Sequence, residues 1–249
     1  MTEENKELTK KDQSTDLAVF EGSGAKDTGF EGTTGSSFKT PFLKVLQDLS
    51  PEIKERLIPD AKQGQFCNSA TGQIYDTIDL IVLKVEHSLI TWKPKRGGFV
   101  GRCNKILEET IVVKKEGYQK WDKDGNDIMD TMEFFCLNAN DPSEVFVLAL
   151  SATSFKHARS FATRLRLLKA NGKPVNVSWA GVWRLATIKE HKDMNSWYTI
   201  GNTPEFVRFV TKEERDNYIL PAKEMLATAE TDYSTIDEGQ GSSSEDVPF

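Results

Sequence analysis

The sequence predicts a mainly β fold of the α+β kind, an antiparallel barrel or sandwich with helices at its periphery. Three observations predict it. Residues 64–150 break into short runs rich in β-branched and aromatic residues, and turn signals (ATG, PKRGG, DKDGND, NANDP) separate them. These strands do not alternate with helical patterns, which argues against βαβ units. The chain has 249 residues, of which 38% are hydrophobic, enough to bury a sizeable core.

Residues 1–38 are polar and rich in Gly, Ser and Thr, and they read as a disordered arm that cannot bury enough apolar surface to offset chain entropy. In PFLKVLQDLSPEIKERL, Phe42, Val45, Leu46 and Leu49 recur at helical spacing, so a helix is expected there, broken or reopened at Pro51. The strand runs are GQFCNSATGQIYD, TIDLIVLKVEHSLITWKP, GGFVGR, ETIVVKK, TMEFFCLN and EVFVLALS. A helix over 153–169 follows, with Ser151, Thr153 or Ser154 as cap and an apolar stripe of Phe155, Ala158, Ala162, Leu165 and Leu168. Asn171, Gly172 and Pro174 stop it. Two further strand segments, VNVSWAGVWRLATIKEH and NSWYTIGNTPEFVRFV, precede a terminal helix with Thr211 as cap and Glu214 at the capping-box position. The folded body is expected over 39–228 and an acidic tail over 229–249, with no internal repeat.

Charge is unevenly spread. The net charge is -6, which on its face disfavours a polyanionic partner. Residues 1–38 carry eight acids against four lysines and 228–249 carry six acids and no cation, so 39–227 stand at +4. An acidic tail on a mildly basic body often belongs to proteins whose surface meets polyanions. Cys67, Cys103 and Cys136 form no CxxC pair and read as reduced, mostly buried thiols. No apolar run approaches membrane-spanning length and the N-terminus is polar, so a cytosolic protein is expected.

Catalytic motifs are missing from the sequence: His87, His157 and His191 are scattered, and HExxH, GxSxG and GxxxxGK[ST] do not occur. No enzyme activity and no cofactor are expected. In DKDGNDIMDTME, Asp122, Asp124, Asn126, Asp130 and Glu133 fall at calcium-loop positions, but Asp127 stands where the turn wants Gly. A hairpin turning at DGN accounts for the same residues, and no metal site is expected.

Basic and aromatic residues interleave. TWKPKRGGFVGR offers Trp92, Lys93, Lys95, Arg96, Phe99 and Arg102, and the next hairpin offers Tyr118, Lys120 and Trp121. Cations that track a backbone and rings that stack on bases are the chemistry of single-strand binding. Trp179 and Trp183 read as core, whereas the exposed, positive PKRGG turn is the leading DNA-contact candidate. On the helix 153–169, Lys156, Arg159, Arg166 and Lys169 form either a solvated face or a phosphate-contacting one. Phosphate contact is favoured for Lys156, Arg159 and Arg166 because no acid lies between Phe155 and Lys169.

The tail closes on SSSEDVPF, a flexible tether followed by acids and an apolar, proline-stiffened tip. SSSEDVPF resembles the C-terminal tip of bacterial single-stranded DNA-binding proteins, with Val247 where Ile is usual. PFLKVLQDLSPEIKE, ATGQIYD, TWKPKRGGFVGR and the helix after VFVLALS are similar to bacteriophage-encoded single-stranded DNA-binding proteins, although the body is longer than a minimal OB barrel. The resemblance implies an elaborated OB-like antiparallel barrel that coats single-stranded DNA without sequence preference, in the cytoplasm of an infected bacterial cell. It implies that Asp246, Val247, Pro248 and Phe249 recruit replication and repair proteins, and it leaves a homo-oligomer open. The alternatives are a strand-annealing recombination protein, a nuclease, and an interaction protein whose tip mimics the bacterial one without binding DNA.

Overall fold

The computed structural model describes residues 40–192, 194–201, 204–228 and 233, all within one compact unit, Lys39–Phe249. The N-terminal arm and the tip Asp246 to Phe249 lie outside the described residues.

Three short strands open the fold: β1 (Leu43–Val45), β2 (Phe66–Asn68) and β3 (Ile74–Tyr75), paired antiparallel in that order, with a single helical turn α1 (Pro51–Lys54) between the first two. The helix expected from Phe42 to Leu49 is therefore a strand followed by a turn. Phe42, Leu43 and Leu46 are all buried, at a spacing that a helix shares with a short strand and the bend after it.

A nine-stranded antiparallel sheet follows. It contains β4 (Thr77–Trp92), β5 (Phe99–Asn104), β6 (Lys114–Glu116), β7 (Gln119–Trp121), β8 (Asp127–Asn138) and β9 (Val145–Ser151), later joined by β12 (Gly181–Lys192), β13 (Asn195–Ile200) and β14 (Glu205–Phe209). Between β5 and β6 the ETIV segment, expected as strand, forms the helical turn α2 (Glu108–Ile111). Helix α3 (Phe155–Arg166) and the small hairpin β10 (Lys169–Ala170) and β11 (Lys173–Pro174) separate β9 from β12. Asn171 and Gly172, both at positive φ, make that hairpin's turn. The side chain of Ser154 makes no cap hydrogen bond; its hydroxyl meets Thr199 at 2.7 Å.

Strand β4 is long enough to serve two neighbours on one edge. Thr77 to Ile81 pair with β12 and Ser88 to Trp92 with β5, while β8 runs along the other edge. A bulge between Val82 and Lys84 bends the strand where it changes neighbour. Likewise β12 pairs with β4 through Val182 to Ala186, with β13 and β14 following each other along it. The sheet curls into a half-barrel, an OB-like α+β arrangement. The small sheet stands between its two ends. Phe42 bridges to Val147 on β9, and the Gln47 side chain both donates to Tyr198 O and accepts from Tyr198 N, each at 2.8 Å.

Alternation along the strands gives two packed faces. Inside the curl, Leu80, Val82, Phe134, Cys136, Phe146, Leu148, Trp183 and Leu185 form the main core, closed by Ala158, Phe161 and Leu165 of α3. Phe161 stacks on Phe134 at 5.1 Å and meets the edge of Trp183 at 5.7 Å. The other face carries Ile81, Leu83, Leu137 and Val182, covered by Ile219 and Ala222 of the terminal helical segment. That segment comprises α4 (Lys212–Glu214), a wide π turn (Arg215–Ile219) and α5 (Leu220–Thr228). Thr211 and Glu214 form the expected capping box. The π turn precedes Pro221, which has no N–H to give a regular helix.

Candidate functional site

The basic-aromatic residues divide into those engaged inside the protein and those facing solvent. Trp92 is buried: its ring meets the edge of Phe99 at 5.9 Å and of Tyr233 at 6.4 Å. Phe99, half-buried, is stacked on Tyr233 at 5.8 Å. Neither ring is open to a base in this arrangement. Arg102 donates from Nε to both oxygens of buried Glu133 at 3.0 Å and also pairs with Glu86. Lys120 is buried between Glu108, at 2.5 Å, and Asp130. These cations neutralise the protein's own carboxylates, to which no local sequence signal points.

Lys93 and Lys95 are exposed on the β4–β5 turn, where Lys95 takes a positive φ of 57°. The side chain of Arg96 lies outside the described residues. Tyr118 is fully exposed at the tip of the β6–β7 hairpin, and Lys114 of the same hairpin holds its ammonium 4.8 Å from the half-buried Trp121 ring. Arg159 and Arg166 are exposed on α3, whereas Lys156, also exposed, pairs with Glu190 at 2.7 Å. Trp179 is partly buried and Trp183 buried, both as expected for core.

A shallow cleft of about 390 Å³ lies beside the start of α3. His87, Lys105, Asp130, Met132, Phe155 and Arg159 line it. Asp130 organises it by accepting from His87 Nε2 at 2.8 Å, from Lys105 at 2.7 Å and from Lys120. Burial pushes the Asp130 carboxyl up, but hydrogen bonds from Lys105, Lys120 and His87 outweigh it and hold the pKa at about 2. Phe155 meets the His87 ring at 5.2 Å, presenting an apolar wall beside Arg159. Of these residues the sequence offered only Arg159 as a contact, with Phe155 read as helix core, Asp130 as a calcium-loop position and His87 as one of three scattered histidines. His87 and Lys105 come from elements that only the sheet register brings together.

That register also relates the cleft to the hairpins. Lys120 is paired with Ile128, two residues along the chain from the Tyr118 turn and from Asp130 respectively. His87 and Trp92 are five residues apart on β4, so the Lys93 turn stands about 17 Å along the strand from the cleft. Between β7 and β8 the DGN segment is a hairpin turn, in which Asp122 accepts from the backbone of Asp124 and Asn126. Asp130 and Glu133 belong to two separate networks, with Lys105 and Lys120 on one and Arg102 and Tyr233 on the other, so the calcium-loop pattern does not converge. Among the described residues, no helix is long and apolar enough to cross a membrane. Cys67 and Cys136 are buried free thiols and Cys103 is partly exposed.

The model of the family described as Pam3 phage gp34-like protein matches residues 10–242. No curated protein and no solved structure matches the chain. The chain belongs to the Pam3 phage gp34-like family, and with it has a phage origin.

Proposed function

We propose that this member of the Pam3 phage gp34-like family is a non-enzymatic protein that binds single-stranded DNA without sequence preference. The strand's phosphates meet Lys93 and Lys95, then Arg159 and Arg166, and its bases meet Tyr118 and the Phe155 wall of the cleft. Trp92, Phe99, Arg102 and Lys120 support this surface from within, and Lys156 and Trp121 lie at its margin. Single-strand binding combines these two contacts, a cationic track and sequence-tolerant stacking worth roughly 1–3 kcal/mol per base.

What supports this reading is the full exposure of Tyr118 at the β6–β7 tip, beside a separate cleft that Lys105 and Arg159 line with cations. A solvated tyrosine at a hairpin tip contributes nothing to the core, and its π-face is free for a base. Glu116 flanks the Tyr118 tip and Asp122 and Asp124 lie in the β7–β8 turn, acids that offset nearby lysines. The tip Asp246 to Phe249, by its resemblance to the bacterial tip, would recruit replication and repair proteins to the coated strand in the infected cell.

Anisotropy of a labelled oligonucleotide, single-stranded against duplex, tests the reading. Tighter single-strand binding that weakens with salt supports it; equal affinity for both, or none, refutes it.

A further inference from the structure

After the terminal helix the chain returns to the sheet at Tyr233, which is 3% exposed. Its ring stands 5.0 Å from Phe42, stacks on Phe99 at 5.8 Å and meets Trp92 edge-on at 6.4 Å. Its hydroxyl donates to Glu133 Oε1 at 2.8 Å. One side chain thus ties together the segment before β1, the end of β4, the start of β5 and the middle of β8. Burial and the Glu133 carboxylate both push the Tyr233 hydroxyl pKa up, so it stays a donor.

Trp92 and Phe99 are register partners beside the bulge at Thr91, and they flank the Lys93–Gly98 turn. The turn itself is held by Lys93 N to Gly98 O at 2.9 Å and by Gly97 N to Lys93 O at 3.3 Å. Lys95 and Gly98 both take positive φ, a backbone that an L side chain at Lys95 rarely adopts without support from outside.

We infer that Tyr233 is a positioning residue for the β4–β5 turn: by clamping the Trp92–Phe99 pair it fixes where Lys93 and Lys95 stand. The effect on DNA rests on the proposed function; the coupling of ring to turn does not. The residue thereby connects the segment that carries the acidic tail to the surface proposed to meet DNA.

Amide hydrogen exchange of the full chain, followed in peptides spanning 92–104, tests this beside single-strand titrations of the same variants. Tyr233→Ala should raise exchange of the turn amides about tenfold or more while the β8–β9 amides stay protected, and weaken single-strand binding about tenfold. Tyr233→Phe keeps the ring and should stay within about twofold of wild type in both readouts. If Tyr233→Ala fails to fold, Tyr233→Leu, which keeps apolar fill but removes the stack and the hydroxyl, takes its place with the same expectations. Unchanged turn exchange overturns the inference, and so does faster exchange with undiminished DNA binding. Faster exchange in a protein whose wild type binds no single strand supports the clamp and overturns the DNA reading instead.

Discussion

Arg102 grips Glu133 across the sheet: its Nε reaches both carboxylate oxygens at 3.0 Å and its Nη2 reaches Oε2 at 2.7 Å. Glu133 is fully buried, and Ser88 and Tyr233 complete its hydrogen bonds. A guanidinium that appears in the sequence as a phosphate contact thus neutralises an internal acid.

Removing one partner of a buried pair leaves the other charge uncompensated. Arg102→Ala is therefore expected to cost about 3–5 kcal/mol in urea denaturation, and pairing it with Glu133→Gln should recover part of the loss. Any DNA-binding defect of the single variant should track its unfolded fraction.

Tyr118 gives the opposite pattern. Its ring is fully exposed, so Tyr118→Ala should change stability by no more than about 0.5 kcal/mol. Single-strand affinity should fall by about 1–3 kcal/mol, roughly five- to 150-fold, as read by oligonucleotide anisotropy.

Asp130 makes stability depend on acid. Its pKa in the folded protein is about 2 against an ordinary value of 3.8, so its contribution is present above the ordinary value and is lost as pH falls toward the folded one. Urea midpoints should drop between about pH 4 and pH 2. Asp130→Asn should lower the midpoint above that window and flatten the profile within it.

Gly64 closes the half-barrel at close quarters. It takes φ +83°, a Cβ there would fall 2.5 Å from the Tyr198 ring, and its carbonyl accepts from Thr187 Oγ1 at 2.5 Å. Gly64→Ala should cost about 2–3 kcal/mol in thermal or urea denaturation.

Features settled by neighbours in the chain were legible before the structure. The capping box needs only Thr211 and Glu214, and the DGN turn needs only Asp122 to Asn126. The mainly β class followed from runs and turns in the same way. Phe42 to Leu49 misled because the buried Phe42, Leu43 and Leu46 fall at a spacing that a helix shares with this short strand and the bend after it. Exposure was legible where it follows from a turn, as at Lys93 and Lys95. Trp92, Arg102 and Lys120 were not readable as internal, because Tyr233, Glu133 and Asp130 reach them through the tertiary fold across ten to 141 positions. The cleft's His87 and Lys105 depend on it as well.

The most direct measurement of the central claim is a salt series of single-strand affinity for the intact protein and a Lys93→Gln, Lys95→Gln double variant. Single strands release counterions with a log–log slope of about -0.7 per phosphate neutralised, so the double variant should bind more weakly with a slope shallower by about 1.4. Overlapping curves for the two proteins, or no binding by the intact one, would contradict it.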